Sequence, residues 1–172
     1  MSNLDSLSMT LRAFSVALLS GSLWTGFAYA DKDSGRDVEA IANRFFAALE
    51  REDEELALSL LAPEAMLHAP YNPNGDASDA GIRSFPASLY VKGALATYDN
   101  LVFVNRHYSI TDDGRTVWIE AQGRLRVAAS GRPYENRYVF KIALAEGKIE
   151  AITEYTNVAT LAQQGVIATA PD

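Results

Sequence analysis

The residues best suited to acid–base chemistry in this chain are a glutamate and a histidine. The glutamate, Glu154, lies in the sequence Ile152-Thr153-Glu154-Tyr155, where a place beside a cavity would remove water from its carboxylate. Desolvation favours the neutral form and raises the pKa of a carboxyl group toward the range useful for proton transfer. We predict a catalytic acid or base at Glu154. The alternative is a solvent-facing strand glutamate, because alternation alone does not say which face is inside.

The second candidate catalytic residue is His68, in Leu67-His68-Ala69-Pro70-Tyr71. A histidine titrates near neutrality and can relay protons. In a regular strand His68 points to the face opposite Ala69, and a bulge beside Pro70 would turn it inward. The alternative is a structural or simply exposed histidine.

Candidate ligand-binding residues bring polar groups to apolar surfaces. Asn136 and Tyr138 alternate with Tyr134 on the more apolar face of one predicted strand. There an amide and a phenol would orient a ligand or stabilise an oxyanion, unless their hydrogen bonds are satisfied within the sheet. Tyr71 and Tyr90 each combine an aromatic body with a polar tip, which suits the rim of a pocket.

Glu120 is the last candidate for ligand binding. It lies on a predicted strand from which it would complete a carboxylate pair with Glu154 across the sheet. The favoured alternative is an ion pair between Glu120 and Arg137 or Arg124 in a dimer contact.

Several kinds of metal and cofactor site are excluded by composition. The chain has no cysteine and only two histidines, so thiolate-ligated metals, a thiol nucleophile and a three-histidine site cannot form. A spacing similar to that of a calcium loop is found at Asn72, Asn74, Asp76 and Asp79. The segment contains Pro73 and lacks the glutamate that such a loop has at its twelfth position, which argues against a calcium site. Phosphate-binding and dinucleotide-binding glycine motifs are also missing. The sequence predicts neither a metal nor a cofactor.

The order of predicted elements indicates an α+β fold. Apolar residues at helical spacing predict a helix over 38–49, and Asp53 is placed to cap a second helix that ends near Leu61. A short strand over 66–71 and a third helix within 84–96 follow. Four strands are then predicted at 101–110, 116–127, 134–144 and 148–157. Helices that precede a run of antiparallel strands favour helices packed on one face of a sheet.

The first thirty residues have the features of a secretory signal peptide. Arg12 precedes an apolar run from Ala13 to Phe27, and Ala28-Tyr29-Ala30 gives a cleavage site before Asp31. Met9 is a second candidate start. The run is short for a membrane span. We therefore expect a periplasmic or secreted protein cleaved after Ala30, with no stable membrane span afterwards.

The net charge argues against nucleic-acid binding. There are 15 basic and 22 acidic side chains, for a formal charge of −7. An acidic surface repels the phosphate backbone unless its few basic residues cluster. We expect no nucleic-acid partner.

Two sequence strings resemble the C-terminal half of SnoaL-like domains. They are Gly131-Arg132-Pro133-Tyr134-Glu135-Asn136-Arg137-Tyr138 and Gly147-Lys148-Ile149 followed by Glu154-Tyr155-Thr156-Asn157. These domains belong to the superfamily of nuclear transport factor two and ketosteroid isomerase. The strings are most similar to phenazine-biosynthesis and ketosteroid-isomerase-related members. The resemblance covers about residues 36–163, after a polar lead-in at 31–35 and before an expected flexible tail at 164–172.

The resemblance implies a cone-shaped α+β barrel in which about three helices pack on a curved, mostly antiparallel sheet. It further implies a pocket for a small apolar organic molecule and a homodimer. In phenazine-pathway relatives the glutamate that matches Glu154 acts as an acid. Ketosteroid isomerases carry a catalytic aspartate where this chain has Ala69, which argues against steroid isomerisation. Two functions remain open, an acid–base isomerase, dehydratase or cyclase and a noncatalytic module that binds a ligand or a protein.

Overall fold

The computed structural model describes residues 32–71 and 83–164, with side chains from Asp37 onward. The predicted signal peptide, Asp31, the calcium-like loop and residues 165–172 of the predicted tail lie outside these residues. The rest of the predicted lead-in, from Lys32 onward, belongs to a helix. Helices and strands follow one another in this order: α1 (Lys32–Glu50), α2 (Glu54–Ser59), β1 (Leu61–Ala69), β2 (Arg83–Pro86), α3 (Ala87–Thr97), β3 (Tyr98–Ile110), β4 (Thr116–Val127), β5 (Pro133–Ala145), β6 (Lys148–Thr156) and α4 (Val158–Gln163).

The six strands form one open, curved sheet in the order β2-β1-β6-β5-β4-β3. Strand β1 runs parallel to β6, and every other neighbouring pair is antiparallel. The predicted α+β class with helices on a mostly antiparallel sheet is confirmed. The parallel pair places β1, β2 and α3 beside β6, the strand that carries Glu154.

Helix α1 packs its apolar face on the inner face of the sheet. Its buried side chains, Val38, Ala42, Phe45, Phe46 and Leu49, recur at the spacing that predicted this helix. The ring of Phe46 contacts those of Phe103 and Phe140, each at a centroid distance of 5.1 Å.

A charged contact fixes the end of α1 to the sheet. Glu50 forms an ion pair with Arg106 and accepts a hydrogen bond from the backbone N–H of Phe103 at 3.0 Å. Because Phe103 also lines the cavity described below, this contact holds one of its walls in place.

Alternation along β4, β5 and β6 separates a buried inner face from an outer face. On β5 the residues Tyr134, Asn136, Tyr138, Phe140 and Ile142 are all buried, as the apolar pattern predicts. They form the floor of the core on which α1 and α3 pack.

The structure corrects several predicted boundaries. Strand β1 begins at Leu61, earlier than the strand predicted over 66–71, and the second helix ends before it. Strand β2 and helix α4 are additions to the predicted elements. Asn157 caps α4 by accepting hydrogen bonds from the backbone N–H groups of Ala159 and Thr160.

Candidate active site

A cavity of about 340 Å³ lies between α3, α4 and the inner face of the sheet. This volume falls at the small end of the range typical of small-molecule sites. Its apolar wall includes Leu67, Phe85, Leu89, Leu101, Phe103, Leu125 and Leu161. Its polar and ionisable groups are Arg83, Tyr90, Thr97, Tyr98, Tyr138 and Glu154. The arrangement suits a largely apolar molecule with a few polar atoms.

Strand alternation on β6 directs Glu154 into this cavity. Its Cα partner on β5 is the buried Phe140, and Ile152, two residues earlier, is 1% exposed. Tyr155 pairs with Val139 and lies on the outer face. Glu154 is half-buried and lines the cavity. The sequence alone did not show which face of β6 is inside. The pairing register of β6 with β5 shows that Glu154 lies on the inner face.

The environment makes Glu154 an acid–base group for neutral pH. Burial raises the pKa of its carboxyl group from 4.5 to about 7, and hydrogen bonding from Tyr90 opposes part of that rise. A group whose pKa is close to the ambient pH has substantial populations of both the proton-donating and the proton-accepting form. Perturbed carboxyl groups in clefts are frequent at catalytic sites.

Tyr90, on α3, lines the same cavity as Glu154 and interacts with its carboxyl group. Burial raises the pKa of its phenol well above 10.0, and the negative charge of Glu154 and the hydrogen bond between them raise it further. Tyr90 therefore keeps its proton and stabilises the ionised carboxylate by donating a hydrogen bond to it. The structure places this predicted ligand-binding residue in the cavity wall.

Tyr138 also lines the cavity, whereas Asn136 supports it from behind. The Tyr138 hydroxyl donates to the Tyr134 oxygen at 3.1 Å, and Asn136 Nδ2 donates to that same oxygen at 2.6 Å. Asn136 Nδ2 also contacts Thr156 Oγ1 at 2.9 Å. Asn136 is 6% exposed and its amide hydrogen bonds are made within the sheet, which is the alternative given above.

Neutral phenols surround the carboxyl group. Burial raises the pKa of Tyr138, and the charge of Glu154 adds to the effect. Burial likewise raises the pKa of Tyr98, whose ring stacks on Tyr134 at 5.6 Å. These groups offer hydrogen bonds to a ligand without adding negative charge beside Glu154.

His68 lies on the other face of the sheet from Glu154. Leu67 and Ala69 line the cavity, and His68 between them points outward, with its Nδ1 2.8 Å from Ser84 Oγ. The only irregularity in the pairing of β1 with β6 precedes Met66, so the pairing is regular at His68. The bulge that would have turned His68 inward is therefore absent from this pairing, and the sheet separates the two candidate catalytic residues.

Tyr71 and Glu120 lie at a separate groove of about 320 Å³ on the outer face. Tyr71 is 67% exposed, and its ring is 6.1 Å from that of Tyr155. Glu120 is exposed opposite His107 and Val139, so the sheet keeps it apart from Glu154 and the carboxylate pair does not form.

The ion pair expected for Glu120 in a dimer contact stays a prediction, because a single chain does not test it. Among residues 37–71 and 83–164, no salt bridge joins Glu120 to Arg124 or Arg137. Within the same ranges no cluster of three histidine, aspartate or glutamate side chains could hold a metal ion. A membrane-crossing helix is likewise not found in this part of the chain.

Most residues of the cavity wall were not predicted as site residues from the sequence, among them Arg83, Gly93 and Tyr98. Arg83 belongs to the unpredicted strand β2, and Tyr98 lies at the junction of α3 and β3. Gly93 lines the cavity from the middle of α3. The signal for Tyr98 was its helical spacing from Tyr90 and Ala94, which share the cavity face.

Comparison with known proteins agrees with this architecture. Residues 42–152 match the model of the SnoaL-like domain family. No curated protein matches the sequence.

Solved structures share the fold at low sequence identity. A provisionally named isomerase from Bacillus subtilis is 21% identical with a TM-score of 0.65, over 77% of this chain and 95% of that chain. A phenazine biosynthesis-related protein from Pseudomonas aeruginosa is 15% identical with a TM-score of 0.62, over 81% and 92%. A provisionally named polyketide cyclase from Xanthomonas campestris is 16% identical with a TM-score of 0.60, over 76% and 98%.

The matched segment spans most of the sheet and the helices that pack on it, from α1 to Ile152. The chain therefore belongs to the SnoaL-like domain family.

Proposed function

We propose that this protein is an acid–base enzyme that isomerises, dehydrates or cyclises a small, largely apolar organic molecule. The observation that carries the proposal is the carboxyl group of Glu154, which lines an apolar cavity with a pKa of about 7. General acid–base catalysis by one positioned group contributes about 10²–10⁴-fold to a rate. Glu154 takes a proton from a weakly acidic C–H group and returns it elsewhere.

The other cavity groups support this step. Tyr90 holds the carboxylate by a hydrogen bond, and the buried phenol of Tyr138 faces the ligand space. Asn136 is a positioning residue, since its amide holds Tyr134, which in turn accepts the hydrogen bond from Tyr138. Two proteins of the same fold are named, provisionally, as an isomerase and a polyketide cyclase, which is compatible with proton-transfer chemistry here.

Hydrogen–deuterium exchange of simple ketones tests the proton transfer without knowledge of the natural substrate. Acetophenone, 1-indanone and 1-tetralone are incubated with the protein in D₂O, and loss of their α-proton signals is followed by NMR. In the proposed step the Glu154 carboxylate removes the α-proton, and the bond electrons move to the carbonyl oxygen to form an enolate. After its proton exchanges with solvent, the carboxyl group delivers a deuteron to the same carbon.

We expect the protein to accelerate exchange, and the rate to rise with pH through about 7 as the carboxylate form of Glu154 becomes populated. Glu154→Gln keeps the size of the side chain and removes the base, so it should lower the rate at least about 100-fold. Glu120→Gln makes the same change on the outer face and should leave the rate unaltered. Exchange that survives Glu154→Gln contradicts the proposal. Ketone binding without any exchange favours a noncatalytic binding module.

We further propose that the protein is exported and acts as a homodimer. The apolar run before Ala30 supports export. Side chains on the outer face support a partner there, because Trp118 stacks on Tyr155 at 6.0 Å and lies under Lys141 at 5.6 Å. The residues of this aromatic patch are half-buried and have no helix over them among the described elements.

A further inference from the structure

Gly93 occupies a position in α3 where neither backbone nor packing requires glycine. It lies inside the helix Ala87–Thr97 and is not among the residues with positive φ. Glycine within a helix is destabilising relative to alanine, because it loses more conformational freedom on folding. A side chain at this position would therefore strengthen the helix.

A methyl group at Gly93 would also meet no neighbour within 4 Å. Gly123 on β4 is the opposite case, because a methyl group there would lie 2.6 Å from Tyr138 Cε2 and 2.7 Å from Leu125 Cδ1. Close packing thus explains Gly123 and leaves Gly93 without a structural reason.

The open space beside Gly93 lies at the mouth of the cavity, because Gly93 is exposed and lines the cavity. Leu89, Gly93 and Thr97 follow one another at intervals of one helical turn, and all three line the cavity. Tyr90 and Ala94 line it from the adjoining strip of the same helix. Gly93 lies between these neighbours at the open side of the cavity, where Leu89 is 56% exposed and Thr97 is exposed as well. A side chain added at Gly93 would therefore narrow the mouth of the ligand space.

We propose that Gly93 determines the size of the molecule that the cavity admits. This inference rests on the proposed function, since it takes the cavity to be the binding site of a small organic molecule. The missing side chain leaves room for a bulky apolar part of the ligand to lie against the backbone of α3. Gly93 is in this sense a specificity-determining residue, and it takes no part in proton transfer.

Two ketones of different size test the proposal by their affinities. Binding of cyclohexanone and of 2-acetylnaphthalene is measured by NMR titration of wild-type, Gly93→Ala, Gly93→Leu and Ala96→Leu protein. Ala96 is exposed on α3 outside the cavity lining, so Ala96→Leu adds the same side chain on the solvent side. The thermal midpoint of each variant is measured in parallel.

We expect Gly93→Leu to weaken 2-acetylnaphthalene binding at least about tenfold, because the leucine would occupy space at the cavity mouth that the larger ring system needs. Cyclohexanone binding should change less than threefold, roughly, since a smaller ring needs less of the cavity. Gly93→Ala should raise the thermal midpoint by about 2–5 °C and weaken the larger ketone less than leucine does. Ala96→Leu should leave both affinities unchanged.

Equal affinities of the wild type and Gly93→Leu for the larger ketone would overturn the role of Gly93 and leave the acid–base proposal standing. An equal loss in Ala96→Leu would overturn it as well, since the effect would then not come from the cavity. A wild-type protein that binds neither ketone would overturn the binding role of the cavity and the Gly93 proposal together. A variant of Gly93 that fails to fold would also contradict it, because the structure offers open space there.

Discussion

At the scale of single residues, the candidate site holds a carboxyl group that opposes folding at neutral pH. The folded chain binds the Glu154 proton more tightly than the unfolded chain does, because burial raises the pKa from 4.5 to about 7. The free energy of unfolding therefore falls as the pH rises through this window. For the full shift the loss is roughly 3 kcal/mol.

Replacement of Glu154 by glutamine should remove this loss. We expect Glu154→Gln to be more stable than the wild type by about 1–3 kcal/mol at pH 8, and the two to be nearly equal at pH 5, where the folded wild type is already protonated. Urea unfolding at the two pH values measures the difference. Glu120→Gln, on the exposed outer face, is the matched control and should show no such pH dependence. A stability difference that is the same at pH 5 and pH 8 would contradict this account.

The inward-facing residues could be predicted best from the sequence where a strand repeats a simple alternating pattern. On β5, alternation alone identified the face that carries Asn136 and Tyr138. Alternation could not show which face of the sheet Glu154 lies on. Its neighbours Thr153 and Tyr155 are themselves partly polar, so either set of residues could have faced inward. The pairing with β5 settles the direction, and pairing is a long-range property that no local pattern contains.

At the scale of helices and strands, local sequence signals predicted the elements whose formation is encoded mainly in their own residues. The amphipathic pattern of α1 and the Asp53 cap of α2, whose carboxylate accepts from the Leu56 N–H at 2.9 Å, were both visible in the sequence. Strand β2 has only four residues and is stabilised by pairing with β1, so it left no periodic pattern. Helix α4 has only six residues, so it too left no periodic pattern in the sequence. Its main sequence signal is the Asn157 cap.

The cavity depends on these weakly signalled elements. Arg83 and Phe85 come from β2 and Leu161 from α4. Sequence analysis therefore found the chemical group, Glu154, and missed much of the wall around it. His68 shows the converse, because its residue type suggested catalysis but the regular pairing of β1 directs it outward.

At the scale of the whole molecule, one face of the sheet is covered by helices and the other carries an aromatic patch around Trp118 and Tyr155. Burial of such a face against a second copy would follow the two-fold symmetry usual for soluble oligomers. We expect native mass spectrometry of protein purified from the cell envelope to give a dimer of chains that begin at Asp31. A monomer would contradict the dimer, and a chain that retains residues 1–30 would contradict export.

Across these scales, the fold holds one ionisable carboxyl group in a largely apolar cavity. Both Glu154 and Gly93 lower the stability of the structure that contains them, which is the usual relation between stability and function at a working site. Replacement of either residue should therefore strengthen the fold. Replacement of Glu154 should weaken proton transfer, and replacement of Gly93 should weaken the binding of larger ligands.

The most direct test is an NMR titration of the Glu154 side-chain carboxyl carbon, identified by its disappearance in Glu154→Gln. The account predicts a pKa of about 7, well above the ordinary 4.5 of a glutamate. A titration at the ordinary value would show a solvated carboxylate and contradict the assignment of Glu154 as the acid–base group.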